Sequence, residues 1–197
     1  MAIYDHMTPD FLRQRLDYIN HADLVVVETN LPEPSLHWLC QHCTAPLLAD
    51  PVSTIKAPKL KPVLGRLTAL KPNRIEAELL SGVTIQTDAD AARAAEKLLE
   101  TGLRQVYISL GSDGLYAADR EGHTARVACP KVQVANATGG GDAAAAALAA
   151  CIAHGKPLAE TARLAMGAGA LACTASETIH PGMSWESIHY ILDKEEF

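Results

Sequence analysis

Four short apolar runs divide this chain: Asp23–Glu28 (DLVVVE), Ala45–Asp50 (APLLAD), Leu67–Leu70, and Gln105–Gly111 (QVYISLG). Runs of this length, apolar at consecutive rather than alternate positions, read as strands buried on both faces. Helical spacing fills the intervals. Thr8-Pro9 is a cap and first-turn pair ahead of Phe11, Leu12, Leu16 and Ile19, and a helix is expected from Pro34 to His42. Another is expected around Lys59–Leu64, and Asn73 can cap a helix carrying Glu76 and Glu78. Thr87 or Asp88 caps the next, with Ala92, Ala95, Leu98 and Leu99 inward and Gly102 at its end. Leu115–Val134, broken at Glu121-Gly122, reads as a hairpin and an extended return. Two Ala-rich helices, about Asp142–His154 and Leu158–Cys173, close the chain. Strands alternating with helices predict an α/β layer fold with a mostly parallel sheet, and no repeat or long linker divides residues 1–197 into more than a single domain.

The composition narrows the function classes. A hydrophobic fraction of 48% with 20% charged residues is that of a globular chain. The net charge of −6 argues against a general partner for nucleic acid or an anionic membrane, while leaving room for a local anion site built from backbone amides. Five scattered cysteines, two of them (Cys151, Cys173) in Ala-rich segments, suit a reducing cytoplasm better than a disulfide framework. The N-terminus lacks the charged and apolar regions of a signal peptide, and Ala143–Ala153 is too short to span a bilayer. A cytoplasmic location is expected.

The segment Asn136-Ala137-Thr138-Gly139-Gly140-Gly141-Asp142 runs directly into an Ala-rich helix. Three glycines let the backbone turn tightly and approach a ligand closely. At a helix N-terminus their amides and the helix dipole favour negative charge, and Asp142 sits beside that positive end. An ordinary glycine turn with an N-terminal Asp is the competing reading. The turn is neither a Walker A loop, lacking Gly-Lys-Ser/Thr, nor a Gly-x-Gly-x-x-Gly dinucleotide fingerprint. Three further segments sit at expected strand ends, where ligands bind in open α/β sheets. They are Asp50-Pro51-Val52-Ser53, Lys71-Pro72-Asn73-Arg74-Ile75-Glu76 and Ser109-Leu110-Gly111-Ser112-Asp113-Gly114.

The order Asp-Pro, Lys-Pro-Asn-x-x-Glu, Ser-Leu-Gly-x-x-Gly, Thr-Gly-Gly-Gly-Asp resembles the ribokinase-like (PfkB) carbohydrate kinases, over roughly Asp23 to the C-terminus. Glu28–Pro32, Asp50–Pro62 and Thr174–Ser184 look most like the pseudouridine kinases of that family. The resemblance implies a three-layer sandwich and an ATP-dependent phosphotransferase acting on a sugar or nucleoside hydroxyl, the pseudouridine 5′-hydroxyl first among them. Asp142 would be the general base, and the amides of Gly139, Gly140 and Gly141 the anion hole. Asn73 and Glu76 would position Mg²⁺, directly or through water; Ser109, Gly111 and Gly114 would hold the nucleotide; residues near Met166–Gly169 would line the adenine pocket.

Departures from the family pattern matter too. Asn136 stands where the family usually has an Asp tied to a monovalent cation, which puts potassium activation in doubt. Gly140 is commonly Ala, and Ala147 often Gly. The family's first strands, lid and sugar-gripping residues have no counterpart in Met1–Ala22, so the chain is expected to lack its N-terminal strands and lid. That leaves a catalytically inactive nucleotide-binding fragment as the alternative, and an exposed strand edge favouring a homo-oligomer. His37, Cys40, His42 and Cys43 have zinc-compatible spacing without a second pair downstream, and read as a helix with two half-buried thiols. His180-Pro181 reads as a turn, Trp38 and Trp185 as core or edge packing rather than ligand platforms, and Lys56, Lys59, Lys61, Arg66 and Lys71 as a solvated face from which Lys56 could reach a phosphate.

Overall fold

The computed structural model describes residues 2–194. Four strands, β1 (Val25–Glu28), β2 (Leu47–Asp50), β3 (Ala69–Leu70) and β4 (Gln105–Ser109), pair in parallel in chain order. Val25 lies opposite Leu47, Leu48 opposite Ala69, and Leu70 opposite Val106. Parallel neighbours require a crossover between them. The first two are made by α3 (Glu33–His42) and a 3-10 helix (Ala57–Arg66); the third carries α4 (Arg74–Ser81) and α5 (Asp88–Leu99). Strands β5 (Leu115–Asp119) and β6 (Thr124–Val127) complete a six-stranded sheet in the order β1 to β6. Their connection turns at Gly122 (φ 91°), with the Asp119 carboxylate accepting from the His123 amide at 2.9 Å.

The chain forms two compact units, Met1–Ser109 with Ala118–His123, and Leu110–Ala117 with Thr124–Phe197. In the first, Leu36, Leu47, Leu48, Leu60, Leu70, Leu98 and Tyr107 are fully buried. In the second, α6 (Gly140–Ala153) packs on α7 (Leu158–Ala172), and α7 on α8 (Trp185–Asp193). Small residues set those distances. A side chain at Gly169 would meet the Gly140 carbonyl at 3.1 Å, and one at Gly167 would meet Leu192 of α8 at 2.8 Å. No helix of the described residues is long and apolar enough to cross a membrane.

Most expected elements form, including the Asn73 and Thr87 caps, both completed into capping boxes by Glu76 and Asp90. Thr8 caps α1 (Pro9–Arg13), but the helix breaks before α2 (Leu16–Asn20). The strand expected to be buried on both faces at its start is instead the sheet edge, with Val26 51% exposed. An apolar run cannot report whether a neighbour covers it. The buried face of α5 is Ala91, Ala94, Ala95 and Leu98 rather than one through Ala92 and Leu99, because alanine at 91, 92, 94 and 95 leaves the helical phase undetermined. The extended return towards Val134 forms no strand beyond Val127. A third C-terminal helix, α8, was not expected: Ser184 caps it, and Ile188 and Leu192 form its buried face. Trp185, at its start, is 46% exposed, which agrees with the edge rather than the core alternative for its packing.

Two substitutions in α5 separate local from tertiary contributions. Thr87→Ala removes the cap and is expected to cost about 1 kcal/mol. Leu98→Ala, at a position with no exposed surface, is expected to cost about 2–5 kcal/mol. Urea denaturation followed by circular dichroism measures both.

Candidate active site

In the first unit, parallel pairing delivers the C-terminal ends of β2, β3 and β4 side by side. Lys71, directly after β3, is 6% exposed, and its ammonium lies 3.0 Å from the Asp50 carboxylate at the end of β2. Two residues on, Asn73 caps α4. Its Oδ1 accepts from the Glu76 amide at 3.0 Å, and Glu76 Oε2 accepts from the Asn73 amide at 2.9 Å. Ser109 joins the group from β4, its amide donating to the Pro72 carbonyl at 2.9 Å. Glu76 is 2% exposed. Burial raises its pKa first; the Asn73 amide opposes that, the Asp50 charge adds to it and Lys71 opposes it. The cluster holds two carboxylates and one ammonium, an acidic balance of hard oxygen donors. Beside it, Val52 adopts φ 62°, a strained conformation for a β-branched residue, while its amide donates to Asp50 Oδ1 at 2.9 Å.

At the end of β1 a second polar group forms. The Asn30 amide donates to Glu28 at 2.5 Å, and the Lys56 ammonium donates to Asn30 Oδ1. Lys59 donates to the Thr29 and Leu31 carbonyls at 2.8 and 3.0 Å. The expectation of one solvated basic face from Lys56 to Lys71 therefore fails at three positions. Long basic stems beside strand ends reach backbone carbonyls and carboxylates, and Lys71 is drawn inward by Asp50.

In the second unit, Gly139 takes φ 91° and caps α6, placing Gly140, Gly141 and Asp142 in its first turn. The first four amides of an α-helix have no acceptor within it, so those of Gly139 to Asp142 are available to an anion. Asp142 is exposed at this positive end. The turn is backed by the segment after α7. A side chain at Gly139 would collide with the Thr178 carbonyl, and one at Gly140 would meet Cys173 Sγ at 2.9 Å. An alanine, common in the family at this position, would have to displace the Cys173 thiol.

Gly111 and Gly114 flank a single 3-10 turn after β4. Gly111 (φ 65°) has open space where a side chain would be, whereas at Gly114 (φ 96°) a Cβ would collide with the Val127 carbonyl. Gly111 can therefore admit a ligand, and Gly114 lets β6 pack close. Gly167 and Gly169 are buried against α8 and α6, and Ala147 is buried within α6. Cys40 is buried in α3, its thiol pushed up to about 11 mainly by burial, and Cys43 follows at the helix end. Among the described residues no group of three or more His, Cys, Asp or Glu is placed to hold a metal. His180-Pro181 forms the expected turn, with the Met183 amide on the His180 carbonyl at 3.0 Å.

Sequence reasoning placed Asn73, Glu76 and Ser109 correctly at strand ends but missed Lys71 and Asp50 as partners. A lysine closing an apolar strand directly before Pro72 was the available signal.

A sequence model of the family described as pfkB family carbohydrate kinase matches residues 2–185. The chain belongs to that family. Within it, the chain is 34% identical over 197 residues to a pseudouridine kinase of Escherichia coli K12, covering 100% of the chain and 63% of the relative. A carbohydrate kinase from Agrobacterium tumefaciens superposes with a TM-score of 0.80 at 30% identity, over 98% of this chain and 62% of that one. A ribokinase from Arabidopsis thaliana, solved with ribose and ATP, superposes with a TM-score of 0.77 at 24% identity, over 91% and 58% of the two chains. That last likeness shows the fold, an α/β arrangement with a mostly parallel sheet. The chain spans under two thirds of the length of each of these PfkB relatives.

The state of Glu76 can be tested by pH. Its folded-state pKa is raised, so below about pH 4.5 the carboxyl is protonated in both folded and unfolded chains and its burial is tolerated. As pH rises through the folded-state value, the buried carboxylate must ionise and stability is lost. Glu76→Gln, which keeps the capping geometry, is expected to gain on the wild type as pH rises from about 4 to 7. A stability difference that stays constant with pH would show that Glu76 is not perturbed.

Proposed function

We propose that residues 1–197 act as one kinase domain, transferring the γ-phosphoryl group of ATP to a sugar or nucleoside hydroxyl. The observation that carries this reading is the turn Gly139–Gly141 capping α6 with Asp142 in its first turn. Asp142 accepts the proton of the acceptor hydroxyl as its oxygen attacks the γ-phosphorus. The bond to the bridging oxygen breaks and ADP departs. The glycine amides hold the charge on the transferred group, in the place where preorganised donors contribute most. Gly111 and Ser109 hold the nucleotide phosphates and ribose, with Gly114 shaping the turn.

The cluster of the first unit fits Mg²⁺. Its oxygens are hard donors, and the inner oxygens of Asn73 and Glu76 are engaged with each other's amides, which favours holding the ion through water. Such an ion, when bound, screens the charge of the triphosphate. Asp50 supplies a further carboxylate near Glu76, and Lys71 limits the excess negative charge.

The pseudouridine 5′-hydroxyl is the favoured acceptor, on the 34% identity to the Escherichia coli pseudouridine kinase. ADP release is measured with Mg-ATP and pseudouridine, ribose or adenosine. Asp142→Asn is expected to lower kcat by about 10²–10⁴-fold while ATP binding by calorimetry persists. Gly141→Val is expected to abolish that binding. Turnover that survives Asp142→Asn would remove the general-base role. ATP binding with no turnover of any acceptor would assign the alternative, an inactive nucleotide-binding chain.

We also propose self-association through the free edge of β1. The edge pairs with β2 on one side only and exposes Val26. An open apolar edge is a template for another strand. Val26→Lys is expected to lower the mass measured by light scattering at high concentration; an unchanged mass would place self-association elsewhere or remove it.

A further inference from the structure

We infer that Asn136 is the positioning residue of the glycine turn, and that its side-chain amide makes by direct hydrogen bonding a link that a carboxylate there would need a monovalent cation or a bridging water to make. The Asn136 Nδ2 donates to the Ser176 carbonyl at 3.0 Å, and its Oδ1 accepts from the Thr138 amide at 2.9 Å. The main-chain amides of Ala135 and Asn136 both donate to the Cys173 carbonyl, at 2.9 and 3.2 Å. Residues 135–138 are thereby tied to the segment after α7. The next two residues, Gly139 and Gly140, rest on Thr178 and Cys173 of that same segment. Asn136 is thus the side chain that holds the path into the turn at the height where its amides face outward.

The partners fix the chemistry. Thr138 offers an N–H and Ser176 offers a C=O, so the side chain between them must present one acceptor and one donor. An amide satisfies both. An aspartate would keep the bond to Thr138 but set its second oxygen against the Ser176 carbonyl, and the Glu177 carboxylate beside it, which accepts from Ser176 Oγ at 2.9 Å, adds further negative charge. Two acceptors at that separation repel each other unless a cation or a donor such as water lies between them. The monovalent cation tied to an Asp at this position in the family therefore does not fit the donor set found here. The amide occupies its role, and no ion is required.

This inference rests on the proposed function only in taking the turn as the phosphate site, and its test reads the turn independently of catalysis. Wild type, Asn136→Ala and Asn136→Asp are melted in potassium, sodium and tetramethylammonium chloride at equal ionic strength. Hydrogen exchange of the Gly140–Asp142 amides and ADP release are followed alongside. Wild type is expected to behave identically in the three salts. Asn136→Ala is expected to melt lower by about 2–4 °C in all of them, with faster exchange and about tenfold lower turnover. Asn136→Asp is expected to match Asn136→Ala in tetramethylammonium and to recover in potassium or sodium. A wild type specifically stabilised or activated by potassium or sodium, or an Asn136→Asp protein indifferent to the salt, would overturn the inference. Absence of turnover in every protein, with the salt pattern of melting and exchange intact, would sink the kinase reading and leave this one standing.

Discussion

Parallel pairing of β1 to β4 is the constraint on which the first unit depends. Four strands running the same way all end on the same side of the sheet, where the first three each hand the chain to a crossover. Glu28, Asp50, Lys71 and Ser109 stand at those ends or directly after them, although up to 81 positions separate them in sequence. Polar groups gather there for a mechanical reason. The strand bodies are committed to apolar packing, and the residues just past them are the first ones free to be polar. The cost appears locally, in the strained Val52 and in a lysine and a glutamate removed from water. Removing either partner of a buried ion pair typically costs about 3–5 kcal/mol, so Asp50 and Lys71 hold each other in place whatever else they do.

The Asn-x-x-Glu spacing has two readings, the observed one for folding and the proposed one for chemistry. As a capping box it satisfies two of the orphan donors of α4. As a ligand pair it places an amide and a carboxylate at a strand end. The capping reading accounts for the inner oxygens alone. It does not account for the burial of the Glu76 carboxyl, since a surface cap would work equally well, as Thr87 and Asp90 do on α5. The excess of Glu76 over Thr87–Asp90 is the part that folding does not require.

What could be read from the sequence, and what could not, follows the range of the forces involved. Gln105–Ser109 was plain because a run of apolar residues between turn signals has one good local solution. The caps of α4 and α5 were plain because both partners lie within four residues. Val26 was misplaced because edge and centre differ only in a neighbour many residues away. The α5 face slipped because alanines on adjacent positions carry no phase. Lys71 was misassigned because its partner, Asp50, lies 21 residues upstream, a separation that only the β2–β3 register closes. The glycine turn was visible as a turn, but the pressure of Cys173 and Thr178 upon it was not.

That pressure explains why the turn is built from glycine at more than one position. Gly139 needs its left-handed backbone and has Thr178 against it; Gly140 has Cys173 against it. Neither restriction comes from a ligand. They come from the segment after α7, which Asn136 binds from the other side. A phosphate site made of backbone amides is only as well defined as the backbone that carries them, because no side-chain rotamer can correct a displaced peptide. A support built of short hydrogen bonds and close packing therefore suits such a site better than one built of long charged side chains. The net charge of −6 is in keeping with the proposed site, where an anion would be held by oriented dipoles at one helix end and not by an excess of lysine and arginine.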